Sequence, residues 1–502
     1  MLTARTFCLL LTLLWAAVSA DPLSAGRPSV PKHAYPGAKQ YIFRLTLLDK
    51  AGTPYSLDHP GRWLSHKSVE RRRRQGLKVD STDLPVSPRY LRQLRADKRA
   101  RVVGQSRWNN TVLMCSADTA LLQQLCTLPF VAKGELVWVS PDSIDDKRET
   151  MPIHDKYNAW DSVHNERYGM GKEQIEMVKG QRLHNIDYRG KGMTIAVLDG
   201  GFRNADRIPA LRHAHIAGFH DFLPPVAVSV AEGSPVRSPA ARAAPLDGST
   251  ARETVAIFRS STEHGTKVLS AMAANAPEVL VGTAPDARYW LLRCEDLSTE
   301  QPVEEDYWTM AAEFADSVGV DIINSSLGYN DYDPPHRDYR LSELDGSTSI
   351  ISRSASLLAG KGIILVNSAG NTGMGPWKKL CVPADAHEML TVGAVNMEGQ
   401  NAPFSAVGPT QDGRVKPDVV ALGSATALIS GRGSVVHDMG TSFSTPVVCG
   451  LVACLWQALP QKSAIDIINL IRKTATNSQN PDNIYGYGLP NFWQAYMIGK
   501  LE

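Results

Sequence analysis

Residues 440–446 read Gly-Thr-Ser-Phe-Ser-Thr-Pro, and a long apolar run follows them. Proline is favoured in the first turn of a helix, where its missing N–H costs nothing, so the pattern predicts a helix that opens at Pro446. The hydroxyl of Ser442 would then lie at the helix N-terminus, where free amides and the helix dipole favour a developing anion. Serine and threonine also cap helices in many proteins, so the stretch alone fits either a nucleophile or a cap.

Upstream of this stretch, apolar strands alternate with helical segments. Residues 193–198 form a nearly unbroken apolar run, which is typical of a strand buried on both faces of a parallel sheet. Further strands are predicted at residues 289–293, 320–328 and 362–367. Helical patterns lie between these strands. The alternation predicts a doubly wound α/β fold, in which a parallel sheet carries helices on both faces.

The first twenty residues differ from the rest. Arg5 precedes a short apolar run, and small residues close it at residues 18–20. This pattern is typical of a secretory signal peptide, so residues 1–20 predict export to a secreted or periplasmic location, with an uncleaved anchor as the alternative. No later stretch is apolar enough over sufficient length to predict a membrane span.

The remaining chain divides into two predicted domains. Residues 21–39 are rich in Pro, Gly and Ser and predict a flexible lead. Residues 40–140 follow the order strand, helix, strand, strand, helix, strand, which predicts a small α+β domain with a ferredoxin-like sheet. The polar residues 141–167 predict a linker before the α/β pattern of residues 168–502. Within that pattern, residues 224–261 predict a surface insertion.

Composition and charge limit the possible functions. The net charge of +2 makes no case for nucleic-acid binding. The run Arg71-Arg72-Arg73-Arg74 would suit an anionic partner or a processing protease, but a solvated helix face is the favoured interpretation. No cysteine has metal-site spacing, and the nearest candidate for a metal is His213-Ala214-His215 with His220, where an ordinary surface is favoured.

Three further motifs supply the groups that a nucleophilic Ser442 needs. Residues 199–201 (Asp-Gly-Gly) follow a buried strand, at the carboxyl end where α/β sheets keep their active sites. Residues 264–266 (His-Gly-Thr) open a helix, and residues 369–371 (Ala-Gly-Asn) follow another strand. The chain therefore supplies a carboxylate, a base, an oxyanion donor and a nucleophile in the order Asp, His, Asn, Ser.

With these motifs in this order, the sequence resembles the subtilisin-like serine proteases over about residues 171–497. Chymotrypsin-like enzymes have the order His, Asp, Ser, and α/β-hydrolases have Ser, Asp, His. Four further stretches match the family's pattern: residues 282–285 (Gly-Thr-Ala-Pro), 324–328 (Asn-Ser-Ser-Leu-Gly), 404–408 (Phe-Ser-Ala-Val-Gly) and 416–419 (Lys-Pro-Asp-Val).

The resemblance implies a catalytic role for three residues. Ser442 would attack the scissile carbonyl and form an acyl-enzyme. His264 would take the proton of Ser442 and later deliver it to the leaving amine, while Asp199 would hold the imidazole in the useful tautomer. The implied activity is that of an exported endopeptidase acting on polypeptides, and the chemistry requires no cofactor. Calcium is common in the family, but no ligands for it can be assigned.

The resemblance also implies where substrate binds. Asn371 resembles the side-chain amide that donates to the oxyanion together with the backbone N–H of the nucleophile. Substrate backbone would lie antiparallel to Ser326, Leu327 and Gly328. Gly328 and Gly370 would leave an open pocket for the residue before the cut bond.

The resemblance leaves two questions open. Residues 40–140 look like the family's propeptide, which assists folding and occupies the cleft as an intramolecular inhibitor, and a retained accessory domain is the alternative. A catalytically silent binding or scaffold protein on the same fold is the alternative function. An esterase or other acyl hydrolase is disfavoured, because the Gly-x-Ser-x-Gly motif is missing around Ser442.

Three features depart from the family pattern or bear on specificity. Gly200 stands where relatives often have a hydroxyl residue, so the backbone is expected to supply the hydrogen bonds to Asp199. Lys267 stands where many relatives have His, and its charge is expected to lower the pKa of His264. The acidic loop of residues 295–306 predicts tolerance of basic residues upstream of the cut, with a solvated loop as the favoured alternative.

Overall fold

The computed structural model describes residues 32–34, 38–145, 167–224, 257–260 and 262–502. The predicted signal peptide at residues 1–20 lies outside the described residues. Most of the predicted lead, linker and surface insertion also lies outside them.

The N-terminal part is a small antiparallel α+β domain. Its four-stranded sheet has the order β3-β4-β2-β5, with all neighbours antiparallel, which is the ferredoxin-like arrangement predicted from the sequence. Alternate residues of these strands pack with the helices in one apolar core. The elements are β1 (Lys32–Ala34), β2 (Tyr41–Leu47), α1 (His66–Arg74), α2 (Pro88–Ala96), β3 (Ala100–Ser106), β4 (Thr111–Ser116), α3 (Ala120–Cys126), β5 (Val131–Val139) and β6 (Ser143–Asp145), of which β1 pairs with β6.

A seven-stranded parallel sheet organises the second part of the chain. Its order is β15-β14-β13-β12-β7-β11-β8, and every neighbouring pair is parallel. The strands are β7 (Thr194–Asp199), β8 (His215–Asp221), β9 (Asn275–Ala276), β10 (Leu280–Val281), β11 (Arg288–Arg293), β12 (Ile322–Ser325), β13 (Ile364–Ser368), β14 (Leu390–Val395), β15 (Val419–Leu422), β16 (Thr426–Ile429) and β17 (Val435–Asp438). The helices are α4 (Lys172–Glu176), α5 (Gly180–His184), α6 (His264–Ala273), α7 (Val303–Val318), α8 (Ile350–Leu357), α9 (Thr441–Ala458), α10 (Ala464–Lys473) and α11 (Phe492–Leu501).

Successive side chains of the central strand β7 pack into two different hydrophobic cores. Ile195 and Val197 belong to the core that contains α6 and α9. Ala196 and Leu198 belong to the core that contains α7 and α8. Side chains alternate between the faces of a strand, so a strand buried on both faces must be apolar throughout. The predicted doubly wound α/β fold is therefore confirmed.

Helix α9 crosses the first of these cores. Among the described residues it is the one helix long and apolar enough to cross a membrane by length and composition, so the expectation that no later stretch would qualify was wrong. The helix is 89% buried inside the protein, where it packs against β13, β14 and α6. It also begins at Thr441, five residues before the predicted start, so Pro446 lies inside it.

The basic run on helix α1 is not the solvated face that its charge pattern indicated. Arg71 and Arg72 are each 1% exposed, and both bind the Asp316 carboxylate on α7. Arg71 also donates from Nη1 to the carbonyl of Val320 at 2.6 Å. Only the second pair of arginines faces solvent, where Arg73 pairs with Glu70 at 2.6 Å. The buried pair therefore joins the small domain to the large one.

Candidate active site

Asp199 and His264 meet at the carboxyl edge of the parallel sheet. Asp199 is the last residue of β7 and is fully buried, and His264 is the first residue of α6. The imidazole Nδ1 lies 2.9 Å from Oδ2 of Asp199 and 3.1 Å from Oδ1. The backbone N–H of Gly200 donates to Oδ1 at 2.8 Å, as expected for a carboxylate that has no hydroxyl neighbour. A Cβ on Gly265 would stand 2.9 Å from Cγ of Asp199, so the contact requires glycine there.

The charges around His264 favour its protonated form. Burial lowers the pKa of the imidazole, but the charge and hydrogen bond of Asp199 and the charge of Glu295 outweigh burial and raise the pKa to about 9. Lys267 lowers the pKa of His264 as expected, but it does not determine the direction of the net shift. Its ammonium is held by Glu263 at 2.7 Å and by Asp438 at 3.1 Å, which compensates its charge locally.

Ser442 is the second residue of α9 and is almost buried. Its Oγ donates to the carbonyl of Ser326 at 3.3 Å, and Ser326 Oγ donates to the carbonyl of Ser442 at 2.9 Å. The second bond is possible because Pro446, four residues on, has no N–H for that carbonyl. Among the described residues no hydrogen bond joins Ser442 to His264, and catalytic hydrogen bonds of this kind often tighten only when substrate binds.

Asn371 is fixed by its amide oxygen, which binds the first residue of α9. Its Oδ1 accepts from the backbone N–H of Thr441 and from the hydroxyl of Thr441, both at 2.9 Å. A Cβ built on Gly440 would lie 3.5 Å from Asn371 Nδ2 and 3.7 Å from the backbone nitrogen of Ser442. These two donors therefore border one space beside Ser442, and Gly440, with φ of 157°, keeps that space empty.

The predicted substrate segment runs on from β12. Ser326 and Leu327 are buried, and Gly328 is exposed. Within the described residues the N–H and C=O of Gly328 make no backbone hydrogen bond, so both remain available to an extended chain. The pocket between Gly328 and Gly370 is not as open as expected, because the side chain of Cys381 packs against both glycines.

The acidic loop differs from its predicted form. Helix α7 begins at Val303, so Glu304 and Glu305 lie in its first turn and are buried. Glu305 accepts from the hydroxyls of Tyr332 and Tyr339, each at 2.6 Å. Glu304 and Glu305 therefore face the protein interior and not the solvent, and the predicted tolerance of basic residues upstream of the cut stays a prediction.

Sequence reasoning placed Glu295 in the acidic loop but missed its position beside Asp199. Its Oε2 would lie 2.8 Å from a Cβ on Gly200, so the carboxyl occupies the space that the glycine leaves beside Asp199. Burial and the charge of Asp199 raise the pKa of Glu295 to about 8. The signal in the sequence is Gly200, because a residue without a side chain leaves room beside Asp199 for another group.

The histidines considered for a metal have other surroundings. His215 and His220 lie on β8, and the His220 ring stacks on Phe314 with ring centroids 5.4 Å apart. In the part of the chain that the structure describes, no group of three or more His, Cys, Asp or Glu side chains is arranged to hold a metal.

A doubly wound parallel sheet with an aspartate–histidine pair at its edge and a serine in the first turn of a buried helix is the architecture of a serine hydrolase. The chain belongs to the subtilase family: the model described as "Subtilase family" matches residues 190–488. A second model, "Peptidase S8 propeptide domain, Bacteroidota", matches residues 42–152. The protein is thus a subtilisin-like serine peptidase that carries a propeptide domain, and the predicted family, fold class and class of enzyme are confirmed.

Individual relatives are distant. Subtilisin NAT of Bacillus subtilis subsp. natto is 28% identical over 323 residues, which cover 63% of this chain and 69% of the relative. Subtilisin-like protease SBT6.1 of Arabidopsis thaliana is 31% identical over 217 residues, or 41% of this chain and 19% of the relative. The crystal structure of MycP1 from Mycobacterium smegmatis is 21% identical, covers 69% of this chain and 87% of its own, and gives a TM-score of 0.47.

Proposed function

We propose that the protein is an exported serine endopeptidase with Ser442 as nucleophile, His264 as general base and acid, and Asp199 as the orienting carboxylate. The observation that carries the proposal is the 2.9 Å contact between His264 Nδ1 and the buried Asp199. A carboxylate on Nδ1 keeps the proton there, which leaves Nε2 free to accept a proton from the serine hydroxyl.

The reaction follows from these groups. Ser442 Oγ attacks the carbonyl carbon of the cut bond as His264 Nε2 removes its proton, and Asp199 stabilises the imidazolium that forms. The imidazolium then gives the proton to the leaving amine, which departs and leaves an acyl-enzyme on Ser442. In the second half, a water molecule loses a proton to His264 Nε2 and attacks the acyl carbon. The bond from that carbon to Ser442 Oγ then breaks, and Oγ takes the proton back from His264 as the acid is released.

The developing oxyanion would lie between Asn371 Nδ2 and the backbone N–H of Ser442. Thr441 supports this role, because its N–H and hydroxyl occupy Oδ1 of Asn371 and so leave the amide N–H groups as the free side of that residue. Losing one such donor costs about 10²–10³ in turnover in enzymes of this type.

The N-terminal domain would act as an intramolecular inhibitor and folding aid that is removed on maturation. Its match to a propeptide model supports this proposal, and so does its buried polar interface with α7. Export through a signal peptide at residues 1–20 fits a family whose relatives here are subtilisins. N-terminal sequencing of the exported protein tests both points: a start within residues 21–140 would contradict removal of the whole domain.

The central test is covalent labelling. Mature protein treated with a fluorophosphonate should be labelled on Ser442, and the labelled peptide identifies the residue by mass spectrometry. Ser442→Ala should abolish both labelling and peptide hydrolysis, and Ser444→Ala, two residues along the same buried helix, should not. A mature, folded protein that neither labels nor hydrolyses any peptide would instead support the catalytically silent alternative.

A further inference from the structure

The segment that carries Cys381 lies between the two walls of the predicted pocket. On one side, Tyr329 and Val382 exchange two backbone hydrogen bonds of 2.9 and 3.0 Å. On the other side, the N–H of Cys381 donates to the carbonyl of Ala369 at 3.2 Å. The segment is therefore tied to both walls by main-chain bonds, and it forms the floor between them.

The Cys381 side chain reaches both glycines of the pocket. A Cβ on Gly328 would stand 2.9 Å from Cβ of Cys381, and a Cβ on Gly370 would stand 2.8 Å from its Sγ. Both distances are too short for a real contact, so any larger residue at either glycine would collide with the cysteine. The space that two glycines would otherwise leave open is already occupied at its base by a thiol.

The thiol of Cys381 lies between a small apolar cluster and a polar partner. Ala369, Leu380, Ala384 and Ala406 form a small buried cluster in the same region, and Ala406 also lies against Gly370. Cys381 is 4% exposed, and burial raises the pKa of its thiol to about 12, so it remains a neutral, unreactive group at physiological pH. Its Sγ donates to Asn330 Oδ1 at 3.4 Å, which holds the side chain in place.

We propose that Cys381 sets the size limit of this pocket, and that the enzyme cleaves after small residues such as alanine, serine and glycine. The inference rests on the proposed function, and it adds a substrate class to it. Besides burial, the charges of Asp331 and Glu300 raise the pKa of the Cys381 thiol, so carboxylates lie near this floor and the limit that Cys381 sets is one of size alone. A leucine or phenylalanine would have to displace Cys381 from a close-packed site.

The test uses peptides that differ only in the residue before the cut bond, namely alanine, leucine and phenylalanine. For the wild-type enzyme we expect kcat/KM to be at least about tenfold higher for alanine than for leucine, since one misfitted methylene group is worth about 10–200-fold. Cys381→Gly should reverse or abolish that ratio by opening the floor. Cys381→Ser, which keeps the size, should preserve it.

Two controls keep the interpretation clear. Cys454→Ser, at a buried cysteine of α9 whose Sγ donates to the carbonyl of Thr283 at 3.2 Å, should leave the ratio unchanged and exclude a general effect of thiol loss. Fluorophosphonate labelling of every variant measures competent Ser442 independently of the pocket. Wild-type enzyme that labels but prefers leucine or phenylalanine, or a Cys381→Gly variant that labels with an unchanged ratio, would overturn the inference and leave the proposed function intact. Absence of both labelling and hydrolysis would instead count against the function itself.

Discussion

The imidazole of His264 lies in the field of two carboxylates, and only one of them, Asp199, touches it. The other is Glu295, which fills the space beside Gly200 and adds to the charge that raises the pKa of His264 to about 9. A general base must be neutral, so kcat/KM should increase with pH through the pKa of the free enzyme. Glu295→Gln removes a negative charge that favours the imidazolium, so this rise should move to lower pH by on the order of one pH unit.

The measurement is the pH dependence of kcat/KM for one neutral peptide. Glu300→Gln is the matched control, because it makes the same substitution in the same loop. The pKa of Glu300 is raised to about 7 by burial and by Asp331 and Asp333. An unchanged profile for Glu295→Gln, or an equal shift for both variants, would show that Glu295 does not act on the base.

At the scale of elements, kcat should be most sensitive to substitution at Gly440, the residue that directly precedes helix α9. A methyl group there would enter the space between Asn371 Nδ2 and the backbone nitrogen of Ser442, where the proposed oxyanion forms. Gly440→Ala should therefore lower kcat by about 10²–10³, the usual effect of losing one oxyanion donor, with a smaller change in KM.

The control for Gly440→Ala separates blocked space from backbone strain. Gly413 also has a positive φ, of 84°, but a Cβ there would meet no atom within 4 Å. Gly413→Ala should lower thermal stability slightly and leave kcat unchanged. If Gly440→Ala retains full turnover, the space beside Gly440 is not where the oxyanion forms.

The sequence predicted best those elements whose formation depends on residues close together in the chain. Strand β7 has no polar residue between Ile195 and Leu198 because two cores bury its two faces, and that apolar pattern can be read from the sequence alone. The start of α9 depended on a distant contact, because Asn371 binds the N–H of Thr441 and so stabilises a turn before Pro446. The contact between Glu295 and Gly200 was missed for the same reason, because it depends on how the loop after β11 folds back.

At the scale of the whole molecule, the two domains are joined by charges that no local pattern reveals. Asp316 on α7 accepts from Arg72 at 2.8 Å and from Arg107 at 2.7 Å, and it also binds Arg71. The arginine run of α1 indicated a solvated face because Asp316, the partner of Arg71 and Arg72, lies 244 residues away in sequence from Arg72. Nearby, Lys361 of the large domain binds Asp83 of the small one at 3.0 Å.

This network should respond weakly to mild acid. Burial raises the pKa of Asp316, but the charges of Arg72, Arg71 and Arg107 outweigh it and hold the pKa well below the ordinary value of 3.8. A lowered pKa means that the carboxylate stabilises the interface at all pH values above its ordinary range. That contribution is lost only as the pH falls through the lowered pKa, so incubation at pH 5 should not separate the domains by protonating Asp316.

Removing the charge by mutation should separate the domains where mild acid does not. Asp316→Asn removes the carboxylate that three buried guanidinium groups share, although Arg72 keeps an ion pair with Asp83 at 3.0 Å. Breaking a buried pair in this way costs about 3–5 kcal/mol. After the chain is cut between the domains, we expect the small domain to bind the large one about 10²–10³-fold more weakly. Because the inhibitor then dissociates at a higher protein concentration, peptide hydrolysis should appear after a correspondingly smaller dilution. Size-exclusion chromatography and an activity assay over a dilution series measure the two effects.

The control is Glu70→Gln, which breaks the exposed pair with Arg73 on the same helix α1 and should change neither the binding of the small domain nor the onset of hydrolysis. Equal behaviour of the two variants would mean that apolar packing, and not the Asp316 network, holds the small domain on the enzyme.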